Sequence, residues 1–285
     1  MKIVKFLGGL GNQLFQYAFY LCLEKKFATV KADLTDFQTY TLHNGFELKK
    51  IFGVDLSEAN IFEIKLHDTT DRKWFWRKAR RLAGTKNAYH QEDQQFAFDA
   101  AIFKERKSRY YWGYWQHISY LNLVEDQLRA HLKFPKITDS RNQKLLELIT
   151  ERETVAIHVR RGDYLSEPLF KDICDAGYYE RSIGYMNKTV ENPLYLFFSD
   201  DLEWCRQNFK HLDAIYVDWN RGDNSFRDMH LISLCNHIII SNSTFSWWGA
   251  WLNERKNKIV VAPDKWKKDP LTNWDGLLLP SFVRL

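Results

Sequence analysis

Residues 237–252 read HIIISNSTFSWWGAWL: an apolar run, four small hydrogen-bonding residues, then three tryptophans at helical spacing. The isoleucines have the pattern of a strand covered on both faces, and the tryptophans fall where one helical face would carry them, so the four polar residues stand at a strand-to-helix junction. Ser, Thr and Asn cap helix N-termini, where unpaired N–H groups and the positive end of the helix dipole favour an anion. Plain capping accounts for SNST without a ligand; an anion site accounts for it together with basic residues on the same rim. The tryptophans at 247, 248 and 251 read as packing that holds the junction still.

Working outward, the same alternation recurs. Strand-like runs appear at TVAIHV (154–159), LYLFFS (194–199), AIYVD (214–218) and KIVVA (258–262), with helical spacing between them. Strands alternating with helices predict a Rossmann-like α/β layer around a parallel sheet. The first half opens likewise, with KIVKFL (2–7) as a strand, a helix from Gln13 to about Phe27, and ATVKAD (28–33) as a second strand. From about 66 to 95 the chain turns polar and basic, and RKWFWRKARR (72–81) sets six Lys/Arg around three aromatics. A helical stretch from about 120 to 150 leads into the second half, so two domains are expected, 1–150 and 151–285.

A chain of 285 residues with 45% hydrophobic content supports sizeable cores, and a net charge of +5 suits anionic small molecules better than a dedicated nucleic-acid surface, so no nucleic-acid partner is expected. Cys22, Cys174, Cys205 and Cys235 show neither disulfide nor zinc spacing, which fits a reducing compartment. No signal-peptide core or membrane-spanning run occurs, so a cytoplasmic protein is expected. Basic residues mixed with tryptophans from Arg72 to Arg81 suit peripheral adhesion to the inner face of the cytoplasmic membrane; a solvated, mobile insertion is the plainer alternative. Oligomeric state is left open.

Three polar clusters follow strands: HVRRGDY (158–164), SDD (199–201) and SNSTF (241–245). Ligands of open parallel sheets bind outside the carboxyl ends of strands, so the three clusters converge on one crevice. If the strand persists through Arg160, His158 and Arg160 share one face, and the guanidinium can clamp a phosphate bidentately. An interface ion pair would explain the arginine equally well. Asp163 is a candidate base by position, or a partner tying down Arg161. Asp200 reads as the cap of the following helix. At the N-terminus, Gly9-Leu10-Gly11 begins a dinucleotide fingerprint and Asp33 stands where a ribose-binding acid would, but Leu14 occupies the third glycine's place. Asn12 and Gln13 instead put amides where a turn meets a helix, in reach of a ligand. No D-x-D triplet occurs, so no metal ligands are assigned and arginine with a helix terminus would neutralise a leaving phosphate.

Together GGLGNQLFQYA, HVRRGDY, FFSDDLEWC and IIISNSTFSWWGAWL resemble the bacterial α-1,2-fucosyltransferases of glycosyltransferase family 11, from residue 8 to 252. The resemblance implies an α/β, GT-B-type fold: two Rossmann-like domains facing across a cleft, the acceptor mainly on the first and GDP-β-L-fucose mainly on the second. It implies metal-independent, inverting transfer of fucose to the 2-hydroxyl of a terminal galactose-type residue of an oligosaccharide, in a surface glycan or O-antigen. No cofactor is implied besides the donor substrate. By similarity to the α-1,6- and protein O-fucosyltransferases, Arg160 holds the donor's β-phosphate, and His158 and Asp228 read guanine. Asp228 stands sixteen residues before Thr244, the spacing those enzymes place between a guanine-binding Asp and a phosphate-binding Ser or Thr. Ser243, Thr244 and Phe245 complete the donor side, with Gly11 and Gln13 from the first turn, and Asn12 matches an asparagine near the reacting sugar. Two rivals use the same scaffold: a non-catalytic nucleotide or glycan binder, and an NAD-dependent dehydrogenase, which the missing glycine disfavours.

Overall fold

The computed structural model describes residues 1–38, 44–270 and 272–285. The chain divides into two compact α/β units, Met1–Lys133 with Asn273–Leu277, and Phe134–Thr272 with Leu278–Leu285.

The first unit holds a parallel sheet of β1 (Lys2–Lys5), β2 (Val30–Asp33), β3 (Tyr89–Gln91) and β4 (Arg109–Trp112) in the order β2-β1-β4-β3. Its helices are α1 (Leu10–Glu24), α2 (Glu47–Phe52), α3 (Ile61–His67), α4 (Trp74–Ala83), α5 (Ile118–Asn122) and α6 (Glu125–His131). The helix expected from Gln13 begins earlier, at Leu10, because Gly9 serves as an N-cap with no side-chain bond. Asn12 and Gln13 therefore lie in the first helical turn, not ahead of it. The segment 66–95 holds the end of α3, the whole of α4 and then β3, which pairs with β4. Asp33 is internal, accepting from Tyr110 Oη at 2.6 Å and from Thr35 Oγ1 at 2.6 Å, with Lys5 Nζ 3.4 Å away. Those partners leave it no ribose-binding role.

The second unit contains β5 (Thr154–Val159), β6 (Leu194–Ser199), β7 (Ala214–Val217), β8 (His237–Ile239), β9 (Val260–Ala262) and β10 (Val283–Arg284), all paired in parallel in the order β10-β9-β8-β5-β6-β7. Helices α7 (Ser140–Glu151), α8 (Ala176–Thr189), α9 (Leu202–Asn208), α10 (Phe226–Leu234) and α11 (Thr244–Leu252) accompany it. Every residue of β5 and β6 is buried, as their unbroken apolar runs require. The unit begins at Phe134, not near 150, because α7 is bound to it: Asn142 Nδ2 donates to Asn220 Oδ1 at 2.8 Å and Trp219 Nε1 to Asn142 Oδ1 at 2.7 Å.

The tryptophans of α11 are covered on all sides. Trp247 and Trp248 are fully buried and Trp251 nearly so. A Cβ built on Gly249 would lie 2.6 Å from Ile232 Cγ2, so α11 rests on α10 at a separation only glycine permits. The four cysteines are buried free thiols. Among the described residues no helix is long and apolar enough to cross a membrane.

Candidate active site

Chain order places the site. β5 is laid down first, β6 and β7 add on one side of it, and β8, β9 and β10 on the other. The direction reverses between β5 and β8, the switch point at which ligands of open α/β sheets bind. The loops leaving β5, β6 and β8 at their carboxyl ends carry the three polar clusters.

His158 closes β5. Its Nδ1 lies 2.9 Å from Ser241 Oγ, and its ring stacks on Phe245, with centroids 5.5 Å apart and planes 30° apart. One contact thus joins the end of β5, the residues after β8 and the start of α11. Burial pushes the imidazole down to about 4, against the pull of Asp200 and with help from Arg160, so it is neutral at physiological pH.

Arg160 lies beyond the strand, which ends at Val159, so the expected shared face with His158 does not arise from strand alternation. Its orientation comes from two carboxylates: Nη2 is 2.8 Å from Asp163 Oδ1 and Nη1 is 3.0 Å from Asp200 Oδ2. Asp163 therefore pairs with Arg160 and not Arg161. Arg161 belongs to the other aspartate, with Nε 3.0 Å from Asp201 Oδ2 and its guanidinium 4.2 Å from the Trp204 ring centroid. Asp201, not Asp200, caps α9, accepting from Trp204 N. Asp200 also accepts from Arg161 N at 2.9 Å. Gly162 fits against this arrangement, since a Cβ there would stand 2.8 Å from Asp200 Oδ2.

The SNST residues are held by the protein as well. Ser241 bonds His158; Asn242 Nδ2 donates to Trp266 O at 3.2 Å; Ser243 is the N-cap of α11, accepting from Phe245 N at 3.3 Å. Thr244 is the first residue of the helix, whose opening N–H groups point away from its body. Beside this terminus, a cavity of about 220 Å³ is lined by Arg160, Arg161, Tyr164, Phe170, Lys171, Trp204 and Asn242 among others. Tyr164 donates to Asn242 O at 3.3 Å and stacks on Phe170 at 4.8 Å. Tyr164, Phe170, Lys171 and Trp204 were not singled out by the sequence, since nothing in the loop's spacing marks them.

Asp228 sits in the first turn of α10, buried, accepting from Asn220 Nδ2 at 2.8 Å. Burial raises its carboxyl to about 7 despite that bond and the charge of Arg221. Asn220 in turn donates to Asn142 Oδ1 at 3.2 Å, so the carboxyl ends a chain of buried amides.

In the first unit, Asn12 is half-buried and its Oδ1 accepts from Gln116 Nε2 at 2.9 Å. Gly8 adopts φ 77°, and a Cβ on it would stand 2.7 Å from Asn12 Nδ2. Gly11 is buried in the first turn of α1. Gln13 does not face a ligand: it is fully buried, its Nε2 donates to Gly8 O at 2.9 Å and Gly45 O at 2.8 Å, and its Oε1 accepts from Glu47 N at 2.9 Å. Its amide is wholly engaged in tying the turn to α2.

Comparison with known proteins agrees with this architecture. Residues 2–282 match the family described as Glycosyl transferase family 11. An alpha-1,2-colitosyltransferase of Escherichia coli is 31% identical, the match covering 96% of this chain and 95% of that protein. Galactoside 2-alpha-L-fucosyltransferase SEC1 of Bos taurus is 27% identical over 86% of this chain and 62% of that one. A glycosyl transferase family 9 structure from Veillonella parvula superimposes with a TM-score of 0.50 at 11% identity, covering 100% of this chain and 86% of its own; that likeness concerns the α/β, GT-B-type fold alone.

Proposed function

We propose that this chain, which belongs to glycosyl transferase family 11, transfers L-fucose from GDP-β-L-fucose to the 2-hydroxyl of a terminal galactose-type sugar, with inversion, giving an α-1,2 linkage. The observation carrying the reading is the placement of Arg160 and the N-terminus of α11 at the ends of β5 and β8, on either side of the sheet's switch point. Positive groups so placed fit a diphosphate.

In this reading the C1–O bond of the donor breaks, its electron pair passes to the β-phosphate, and an oxocarbenium-like centre forms. Arg160 and the helix terminus, with the hydroxyls of Ser243 and Thr244, stabilise the phosphate charge as it grows, which is where acceleration arises. They supply charge that a divalent ion would otherwise bring, so transfer proceeds without metal. The acceptor's 2-oxygen attacks C1 from the opposite face and its proton goes to a carboxylate. Asp163 is assigned that role: it is exposed and lies on Arg160, so an arriving phosphate displaces it from the guanidinium. Asp228 accepts from guanine's N–H groups. With the Ser241 hydroxyl donating to Nδ1, His158 offers Nε2–H to the base and Phe245 packs behind it. Gly11 and Asn12, which the resemblance gives to the donor and to the reacting sugar respectively, both lie in the first turn of α1. Four buried thiols support a cytoplasmic setting.

The test is incubation with GDP-fucose and lactose or lacto-N-biose in the presence of a chelator, with the product linkage read by NMR. An α-1,2-fucosylated product with equimolar GDP is expected. GDP binding without transfer would favour the non-catalytic binder, and loss of turnover on chelation would remove the metal-free mechanism. The likeness to a colitosyltransferase favours one second reading, a donor lacking the sugar's 3-hydroxyl. Competition between GDP-fucose and GDP-colitose decides between them.

A further inference from the structure

The basic aromatic stretch of the first unit plays no part in this chemistry, yet it is an ordered surface. Helix α3 opens with a reciprocal cap between Asn60 and Glu63. Arg80 ties α4 to it, donating from Nε and Nη2 to Lys65 O at 3.1 and 2.8 Å and from Nη1 to Asp71 O at 2.6 Å. Thr85 Oγ1 donates to Leu66 O at 2.7 Å just past the end of α4.

Apolar side chains of this pair point outward. Leu82 is 83% exposed, Trp74 74%, Ile61 63% and Phe62 58%. Four rings form a continuous run: Phe62 to Trp76 at 5.7 Å, Trp76 to Phe75 at 5.2 Å, Phe75 to Trp74 at 6.3 Å. Exposed leucine or tryptophan taken singly is ordinary, but a contiguous group marks a contact surface. Around it, residues 72–86 carry seven Lys/Arg and no acid in a chain whose net charge is +5, so the rest of the molecule is net acidic. Arg72, Lys73, Arg77, Lys78 and Arg81 form no ion pair among the described residues.

We propose that the α3–α4 face docks on an anionic lipid bilayer, its rings and Leu82 entering the headgroup boundary while the basic side chains pair with lipid phosphates. The combination is what an interfacial helix needs: an apolar side for the acyl boundary and cations flanking it. A second copy of this chain is disfavoured because it would bring seven like charges against seven. A nucleic acid would use the cations but leave Leu82 and Ile61 without a partner. Arg80, by fixing α4 on α3, presents the surface ready-made.

The experiment is vesicle co-sedimentation, comparing phosphatidylcholine alone with phosphatidylcholine containing one third phosphatidylglycerol. Each basic residue near an anionic surface contributes roughly fivefold in partition. The wild type is expected to sediment with the anionic vesicles, to lose binding as salt rises, and to ignore phosphatidylcholine. Arg77→Glu/Lys78→Glu/Arg81→Glu and Trp74→Ser/Phe75→Ser/Leu82→Ser should each lower partition at least tenfold. Both should keep the wild-type melting temperature and turnover on a water-soluble acceptor. Wild type remaining in the supernatant at low salt, binding that survives either triple variant, or binding to RNA that the apolar variant leaves intact would overturn the proposal. So would a concentration-dependent dimer that the apolar variant dissolves.

Discussion

Arg160 and Asp200 are joined at 3.0 Å across the ends of two adjacent parallel strands, β5 and β6. The pair fixes one nitrogen of the guanidinium from behind. Asp163, more exposed, holds another from the loop side. A phosphate can take the place of Asp163 while Asp200 keeps the fork aimed.

Arg160→Ala is expected to lower kcat by about 10²–10³-fold, the cost of one positioned charge donor in the transition state, roughly 3 kcal/mol. Arg160→Lys, which keeps the charge but loses the planar fork, should recover only part of that loss. Steady-state kinetics with saturating acceptor measure both.

Gly162→Ala should act through Asp200. Its new methyl would meet Asp200 Oδ2 at 2.8 Å and push the carboxylate off Arg160. About a tenfold loss in kcat/KM is expected, with the melting temperature little changed because the loop is exposed. If the effect runs through Asp200, the double variant with Asp200→Ala is no worse than Asp200→Ala alone.

GDP affinity should rise with pH through about 7, where the buried carboxyl of Asp228 ionises. Below that pH the proton must leave before the carboxylate can accept from guanine, weakening binding by up to about tenfold per unit. Stability of the unliganded protein runs the other way. The folded value lies above the ordinary carboxylate value of about 3.9, so protonated Asp228 contributes stability that is complete below about pH 4 and lost as pH rises through 7. Calorimetric titration of GDP across pH 5.5–8.5 should show a steeper slope in the wild type than in Asp228→Asn, whose remaining slope comes from the second ionisation of the terminal phosphate.

Gln13→Ala should destabilise the first unit without touching the nucleotide. It strips partners from Gly8 O, Gly45 O and Glu47 N. Leaving such groups unmet costs about 3 kcal/mol in all, a fall of roughly 10 °C in melting temperature. GDP affinity at low temperature should match the wild type.

What could be read from the chain followed physical range. Runs such as TVAIHV and LYLFFS mark their strands to the residue because burial on both faces demands an unbroken apolar string. β8 is shorter than HIIIS because only His237–Ile239 pair as strand, although Ile240 N still reaches Val261 O at 2.9 Å. β3 escaped notice because YHQ is polar and half-buried, on an edge. The start of α1 carries no marker in the sequence, since a glycine cap leaves no side-chain signature. SDD shows two aspartates but cannot say which caps α9 and which holds Arg160, because that depends on a residue forty positions earlier. The unit to which α7 belongs is hidden for the same reason: Asn142 finds its partners at 219 and 220. Gln13 looked like a ligand contact because its true partners, at 45 and 47, lie in a stretch without readable pattern.

Residues 273–285 serve both units: Gly276 O accepts from Ile118 N in the first, and Val283 and Arg284 add β10 beside β9 in the second. During synthesis neither half can finish before residues 273–285 have left the ribosome. A nascent chain stalled before residue 273 therefore holds two unfinished folds rather than one finished and one pending.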